Sequence, residues 1–96
     1  MITAGQMRAA RALLGIDQKT LAEMAGVSVP TIQRMEASKG NVRGVVDTLA
    51  KVVEALDRAG IELIGDNVQS ISTGRGVRLK DPAIRPAENT TKQDEE

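Results

Sequence analysis

Asp17-Gln18-Lys19-Thr20-Leu21-Ala22-Glu23-Met24-Ala25-Gly26-Val27-Ser28-Val29-Pro30-Thr31-Ile32-Gln33-Arg34-Met35-Glu36 reads as two short helices joined by a tight turn. Asp17 stands where it can cap the first helix, whose apolar stripe is Leu21, Ala22 and Ala25. Gly26 takes the backbone round the corner, where a residue without a Cβ costs least. Ser28 is placed to accept hydrogen bonds from the free amides opening the second helix, and Pro30 is tolerated within that first turn. Val27 on the turn, with Ile32 and Met35 on the helix, points inward. The opposite face carries Pro30, Gln33, Arg34 and Ala37, with Thr31 on its flank. A small, polar helix face with one positive charge matches what the major groove of DNA accepts.

Outward from this pair, the flanking segments supply a bundle. Thr3-Ala4-Gly5-Gln6 has the form of a capping box, with Thr3 as cap and Gln6 reaching back. The helix it opens is predicted to run to Leu14 and end at Gly15. Met7, Ala10 and Leu14 share one face with Leu13 beside them, while Arg8 and Arg11 lie elsewhere and Arg8 reads as part of a solvated face. After Glu36, residues 37–44 form a polar loop with two glycines, in which Lys39 and Arg43 are candidate phosphate contacts. From about Gly44 to Ala59 the chain is again helical in period. Val46, Leu49, Val53 and Leu56 lie on one seam, widened by Val45 and Val52, and these six are read as core. Gly60 closes this helix.

The combination Gln18, Leu21-Ala22, Ala25-Gly26-Val27-Ser28, Thr31-Ile32, Arg34 and Glu36 resembles the phage-repressor-like (Cro/C1, or XRE-type) helix-turn-helix regulators. The resemblance extends through Ala10–Gly15 and Thr48–Leu56 and so covers roughly the first 58 residues. It implies that Arg11 pairs with Glu36, tying the first helix to the recognition helix. It also implies that Gln18 contacts the phosphate backbone and helps orient the recognition helix, and that the 37–44 loop runs beside the DNA. Independently, the start of the Gln18 helix offers free amides to a phosphate, with Lys19 adding charge. On the recognition helix, Arg34 is the candidate reader of guanine O6 and N7, Gln33 of adenine, and Thr31 of a phosphate or a thymine methyl. Val29 and Pro30 depart from the family, many of whose members carry polar base-contacting side chains there. Their contacts are restricted to thymine methyls, which shifts the expectation toward shape readout.

Residues 61–80 change character. Ile61–Ile64 and Gly76–Lys80 each alternate apolar and polar residues, so a two-stranded β-hairpin is predicted, with Ile61, Leu63, Val77 and Leu79 on one face and Glu62 meeting Arg78 on the other. An isolated hairpin is marginal in water, so it either packs on the bundle or pairs with another subunit. The second is preferred, because domains of the resembled family generally recognise operators as dimers. From Asp81 the chain carries Pro82, Pro86 and an acidic end with almost no apolar residues, and is expected to be disordered.

Composition narrows the function classes. The 96 residues fit one small domain. They include no Cys and no His, which removes thiolate and imidazole metal ligands, thiol chemistry and every imidazole-based catalytic scheme. The absence of disulfides fits a reducing cytoplasm. With no Phe, Tyr or Trp, the base-stacking platforms of RNA and single-strand readers are absent. Net charge is zero, yet residues 1–80 hold 11 Lys/Arg against 8 Asp/Glu, and 81–96 hold 2 against 5. The expected architecture is mainly α: a repressor-like domain of four to five helices over 1–60, a hairpin over 61–80 serving dimerisation, and a disordered acidic tail over 81–96. The expected function is a sequence-specific regulator of transcription, a bacterial cytoplasmic repressor or autoregulator acting as a homodimer on an operator, with Ser28–Ala37 in the major groove. It is not expected to be an enzyme, to need a cofactor or to bind a membrane. The competing reading is a protein-interaction module of the same fold, an antitoxin or antiactivator that masks a protein partner.

Overall fold

The computed structural model describes residues 2–42 and 44–81. Four helices follow one another: α1 (Ala4–Leu14), α2 (Gln18–Ala25), α3 (Val29–Glu36) and α4 (Val46–Arg58). Helix α2 packs against both α3 and α4, and α1 packs against α3. The core where they meet contains Met7, Leu21, Ile32, Met35, Val52 and Leu56, all fully buried. Each such side chain contributes about 1.5–3 kcal/mol relative to exposure. Ala10, Ala22, Ala25 and Ala55 fill the buried positions between them.

Local chemistry accounts for the helix boundaries. Thr3 and Gln6 make the reciprocal capping box, with Gln6 N–H donating to Thr3 Oγ1 at 3.0 Å and Thr3 N–H to Gln6 Oε1 at 2.9 Å. At the α2–α3 corner Gly26 adopts φ 70°, a left-handed conformation that disfavours a Cβ. The next amide, on Val27, then closes back onto the Ala22 carbonyl at 3.0 Å, and its side chain packs against the core. Gly60 does the same for α4 at φ 98°, with Ile61 N–H donating to the Leu56 carbonyl.

A short main-chain clasp joins the two ends of the α1–α3 layer. Ala4 N–H donates to the Gly40 carbonyl at 3.1 Å and Val42 N–H to the Ile2 carbonyl at 3.0 Å, around a single antiparallel bridge between Thr3 and Asn41. Ile2 and Val42 are both buried beneath it. The 37–42 segment, polar in sequence, is thus fastened at its far end by one valine.

Two expectations need correction. Among the described residues there are four helices, within the expected four to five, and no strand, so the C-terminal two-stranded β-hairpin is not present. In the first predicted strand Ile61 N–H donates to the Leu56 carbonyl and the Ile64 carbonyl accepts from Gln6 Nε2 at 3.1 Å, and the chain between the two predicted strands is held by side chains. Glu62 accepts from Ser70 Oγ at 2.6 Å, from Ile71 N–H at 2.9 Å and from Ser72 N–H at 3.4 Å. Arg78 donates to the carbonyls of Val68 and Gly65. Glu62 and Arg78, expected to face each other, therefore anchor separate turns of the segment. Ile61 and Leu63 pack against the helical core, while Val77 and Leu79 lie in solvent, so the four do not form one face. The second correction concerns α4. Val45 and Val46 are 70% and 79% exposed. The buried positions of α4 are Val52, Ala55 and Leu56, flanked by half-buried Leu49 and Val53. The apolar seam continues in sequence beyond the last turn covered by the bundle.

Candidate nucleic-acid interface

The candidate recognition helix starts from a well-made cap. Ser28 Oγ accepts from Thr31 N–H at 3.3 Å and shares a 2.8 Å hydrogen bond with the Thr31 hydroxyl. Thr31, a candidate base or phosphate contact, is half-buried and already engaged in holding this first turn. Ile32 and Met35 anchor the inner face in the core. Pro30, Gln33, Arg34 and Ala37 are all exposed on the outer face, and Arg34 is the only one of them that carries charge. Val29 is half-buried and packs against the core, so of the apolar pair Val29–Pro30 it is Pro30 that is fully presented outward.

The other end of α3 is held by charge. Glu36 is 5% exposed. Arg11 meets it with two hydrogen bonds, Nε to Oε2 at 2.7 Å and Nη2 to Oε1 at 2.8 Å. Arg11 also donates to the Ile16 carbonyl at 3.3 Å. Gln18 Nε2 adds a third bond to Glu36 Oε1 at 3.0 Å. Burial pushes the Glu36 carboxyl up. The hydrogen bonds from Arg11 and Gln18, with the charges of Arg11 and Arg8, outweigh it, and the group is held below its ordinary value. The carboxylate of Glu36 thus gathers side chains from α1 and α2 onto α3, and no buried side-chain nitrogen or oxygen among the described residues lacks a partner.

Gln18, expected to contact the phosphate backbone and to help orient the recognition helix, turns its amide nitrogen to Glu36 on that helix. Its helix is capped by Asp17, which accepts from Thr20 N–H at 2.8 Å and is held below its usual value chiefly by that bond. Lys19 and Lys39 are exposed. Arg43 and the acidic tail beyond Asp81 lie outside the described residues. Arg8, read from the sequence as a solvated residue, reaches the backbone carbonyl of Glu36 at the end of α3. A cation there opposes the negative end of the helix dipole. Its position one helical turn before Arg11 was the available signal, since residues three apart lie on one helix face.

The helix-turn-helix family model matches residues 7–63, from within α1 to the first residues after α4. The chain belongs to the Cro/C1-type (XRE) helix-turn-helix family. It is therefore a helix-turn-helix protein of a DNA-binding regulatory family. The search of curated proteins returned no match. Within this family framework α2 and α3 are the two helices of the motif, with Gly26 in the turn between them. No helix among the described residues is long and apolar enough to cross a membrane, and no acidic cluster among them forms a metal site.

Proposed function

We propose that this protein is a sequence-specific regulator of transcription that binds double-stranded DNA as a dimer, inserts the outer face of α3 into the major groove and represses a promoter, its own included. The observation that carries this reading is the exposed face of Pro30, Gln33, Arg34 and Ala37 on a helix locked at one end by Ser28 and at the other by Glu36. A base reader works only when its backbone is held to within a fraction of an ångström, and this helix is held from both ends. Arg34 reads guanine, Gln33 reads adenine, and Pro30 contacts a thymine methyl. Lys19, Lys39 and Arg43 neutralise phosphates, and Thr31 steadies the first turn beside them. Control operates through concentration or a partner protein in a bacterial or phage setting.

The test is a titration of duplex from immediately upstream of the gene, with a scrambled duplex as control, at several salt concentrations. The reading requires preferential binding to the native fragment, at half-sites about 10–10.5 bp apart. Equal, weak and steeply salt-dependent binding to both duplexes contradicts it for that promoter. Such a result favours the second reading, a protein-interaction module of the same fold. That alternative draws on one observation, the withdrawal of Val29 into the core, which leaves few side chains for base readout.

A further inference from the structure

The C-terminal half of α4 and the chain that follows it flank an open groove of about 660 Å³, whose lining includes Val53, Ile61, Leu63 and Ile71 together with Glu54, Asp57 and Glu62. The lining thus mixes apolar side chains with three carboxylates, of which Glu62 accepts from Ser70, Ile71 and Ser72 and Glu54 lies 3.8 Å from Arg58 across the exposed face of α4. The same chain presents an exposed segment of the opposite character. In Arg75-Gly76-Val77-Arg78-Leu79-Lys80 the side chain of Arg78 reaches back to the carbonyls of Gly65 and Val68. Val77 and Leu79, on either side of it, stand 82% and 53% exposed. Arg75 and Lys80, also exposed, flank them. Two large apolar side chains between two cations thus face solvent, and a groove that combines apolar side chains with carboxylates lies open on the same chain.

We propose that residues 75–80 of a second copy of this chain occupy the groove, and that the exchange is reciprocal. Val77 and Leu79 of each copy cover Val53, Ile61 and Leu63 of the other, while Arg75 and Lys80 meet Glu54 and Asp57. A two-fold arrangement uses the same pair of surfaces twice, so one modest groove yields two docking sites. Apolar contact supplies the association, and the charges supply register and partner choice. None of the residues it uses belongs to α3. It rests on the dimeric reading above, and gives that dimer an interface made by a segment and a groove without strand pairing.

Sedimentation of the full chain without DNA tests this, so a missing operator and a missing dimer are separate results. The wild type should be a dimer at about 100 µM, a concentration at which even a weak association is occupied. Two variants use only exposed charges: Glu54→Lys with Asp57→Lys on the groove, and Arg75→Glu with Lys80→Glu on the segment. Each should weaken dimerisation about tenfold, as reversing two rim charges at each of two sites does, with unchanged helix content. Mixing the two variants decides the geometry. A mixed dimer pairs the reversed groove with the reversed segment at one site and two native surfaces at the other, so the mixture should dimerise more tightly than either variant alone. A monomeric wild type, dimers indifferent to both variants, or variants that weaken the dimer without recovery on mixing would each overturn the proposal.

Discussion

Two carboxylates in this protein gather hydrogen bonds, and they do so to opposite effect. Glu36 sits among α1, α2 and α3, buried, with Arg11 and Gln18 from two other helices on its oxygens. Glu62 sits in irregular chain, accepting from Ser70, Ile71 and Ser72, all within ten residues of it in sequence. The count of bonds is similar; the environment is not. Around Glu36 little water is available to replace a lost partner, so its network holds the relative positions of three helices. Around Glu62 water competes for every bond, and the network shapes only its own loop.

The largest expected effect breaks the first hub. Arg11→Ala leaves a buried carboxylate with Gln18 as its remaining side-chain donor and should cost about 3 kcal/mol, the low end for a broken buried pair because Arg11 is itself 21% exposed. Denaturant unfolding measures it. An unchanged midpoint alongside lost DNA binding would place Arg11 at the DNA and remove its structural role. Next comes Arg34→Ala, expected to weaken binding by about 1–3 kcal/mol on the native operator and to relax preference at one base pair per half-site, with stability unchanged. Equal losses on native and scrambled duplex contradict base reading.

Ser28→Ala removes the α3 cap and should cost about 1 kcal/mol of stability, read as a lower thermal midpoint. The smallest effect belongs to the second hub. Glu62→Gln should leave the global midpoint where it is while loosening the 70–72 turn, seen as faster amide exchange at Ile71. Acid provides the same comparison within the wild type. The Ser70 hydroxyl and the Ile71 amide hold the Glu62 carboxyl down at about 2, against an ordinary 4.5. A depressed carboxyl contributes above its ordinary value and loses that contribution as pH falls through the depressed one. Protection at Ile71 should therefore persist at pH 5 and fade between about 4.5 and 2. Protection that disappears above pH 5 refutes the Glu62 assignment. Glu36 is also held below its ordinary value, so its loss in acid has the same sign but should appear as global unfolding.

Reading the sequence worked best where the deciding chemistry is local. The Thr3–Gln6 box, the Asp17 and Ser28 caps, and the turns at Gly15, Gly26 and Gly60 all stand where the sequence put them. Each is a matter of a few neighbouring residues. The outward face of α3 was legible too, because helix periodicity assigns it once Ile32 and Met35 are inside. Less legible were residues whose role depends on what lies opposite. Val45 and Val46 continue the apolar seam of α4, yet only the turns from Leu49 onward have a neighbour to pack on. Val29 looks outward by its place beside Pro30 and in fact joins the core. Arg8 shares a helix face with Arg11, but only the packing of α1 on α3 brings the end of α3 within its reach.

The 61–80 segment shows the limit most clearly. Its alternation is real, and a strand pattern states which residues want burial without stating against what. Ile61 and Leu63 bury against the bundle, and the Ile61 amide and Ile64 carbonyl bond to Leu56 and Gln6 rather than to a second strand. By itself, then, the sequence determined the four helices, their caps and turns, the family, and the side of α3 that faces away from the core. These follow from contacts spanning a few residues, whose energies hold whatever the rest of the chain does. Only the tertiary structure decided that Gln18 bonds to Glu36 itself beside Arg11, that Arg8 caps the end of the same helix, and that the C-terminal segment folds without a ladder. Those outcomes depend on groups far apart in the chain competing for the same partners, and that competition is settled only when the surfaces meet.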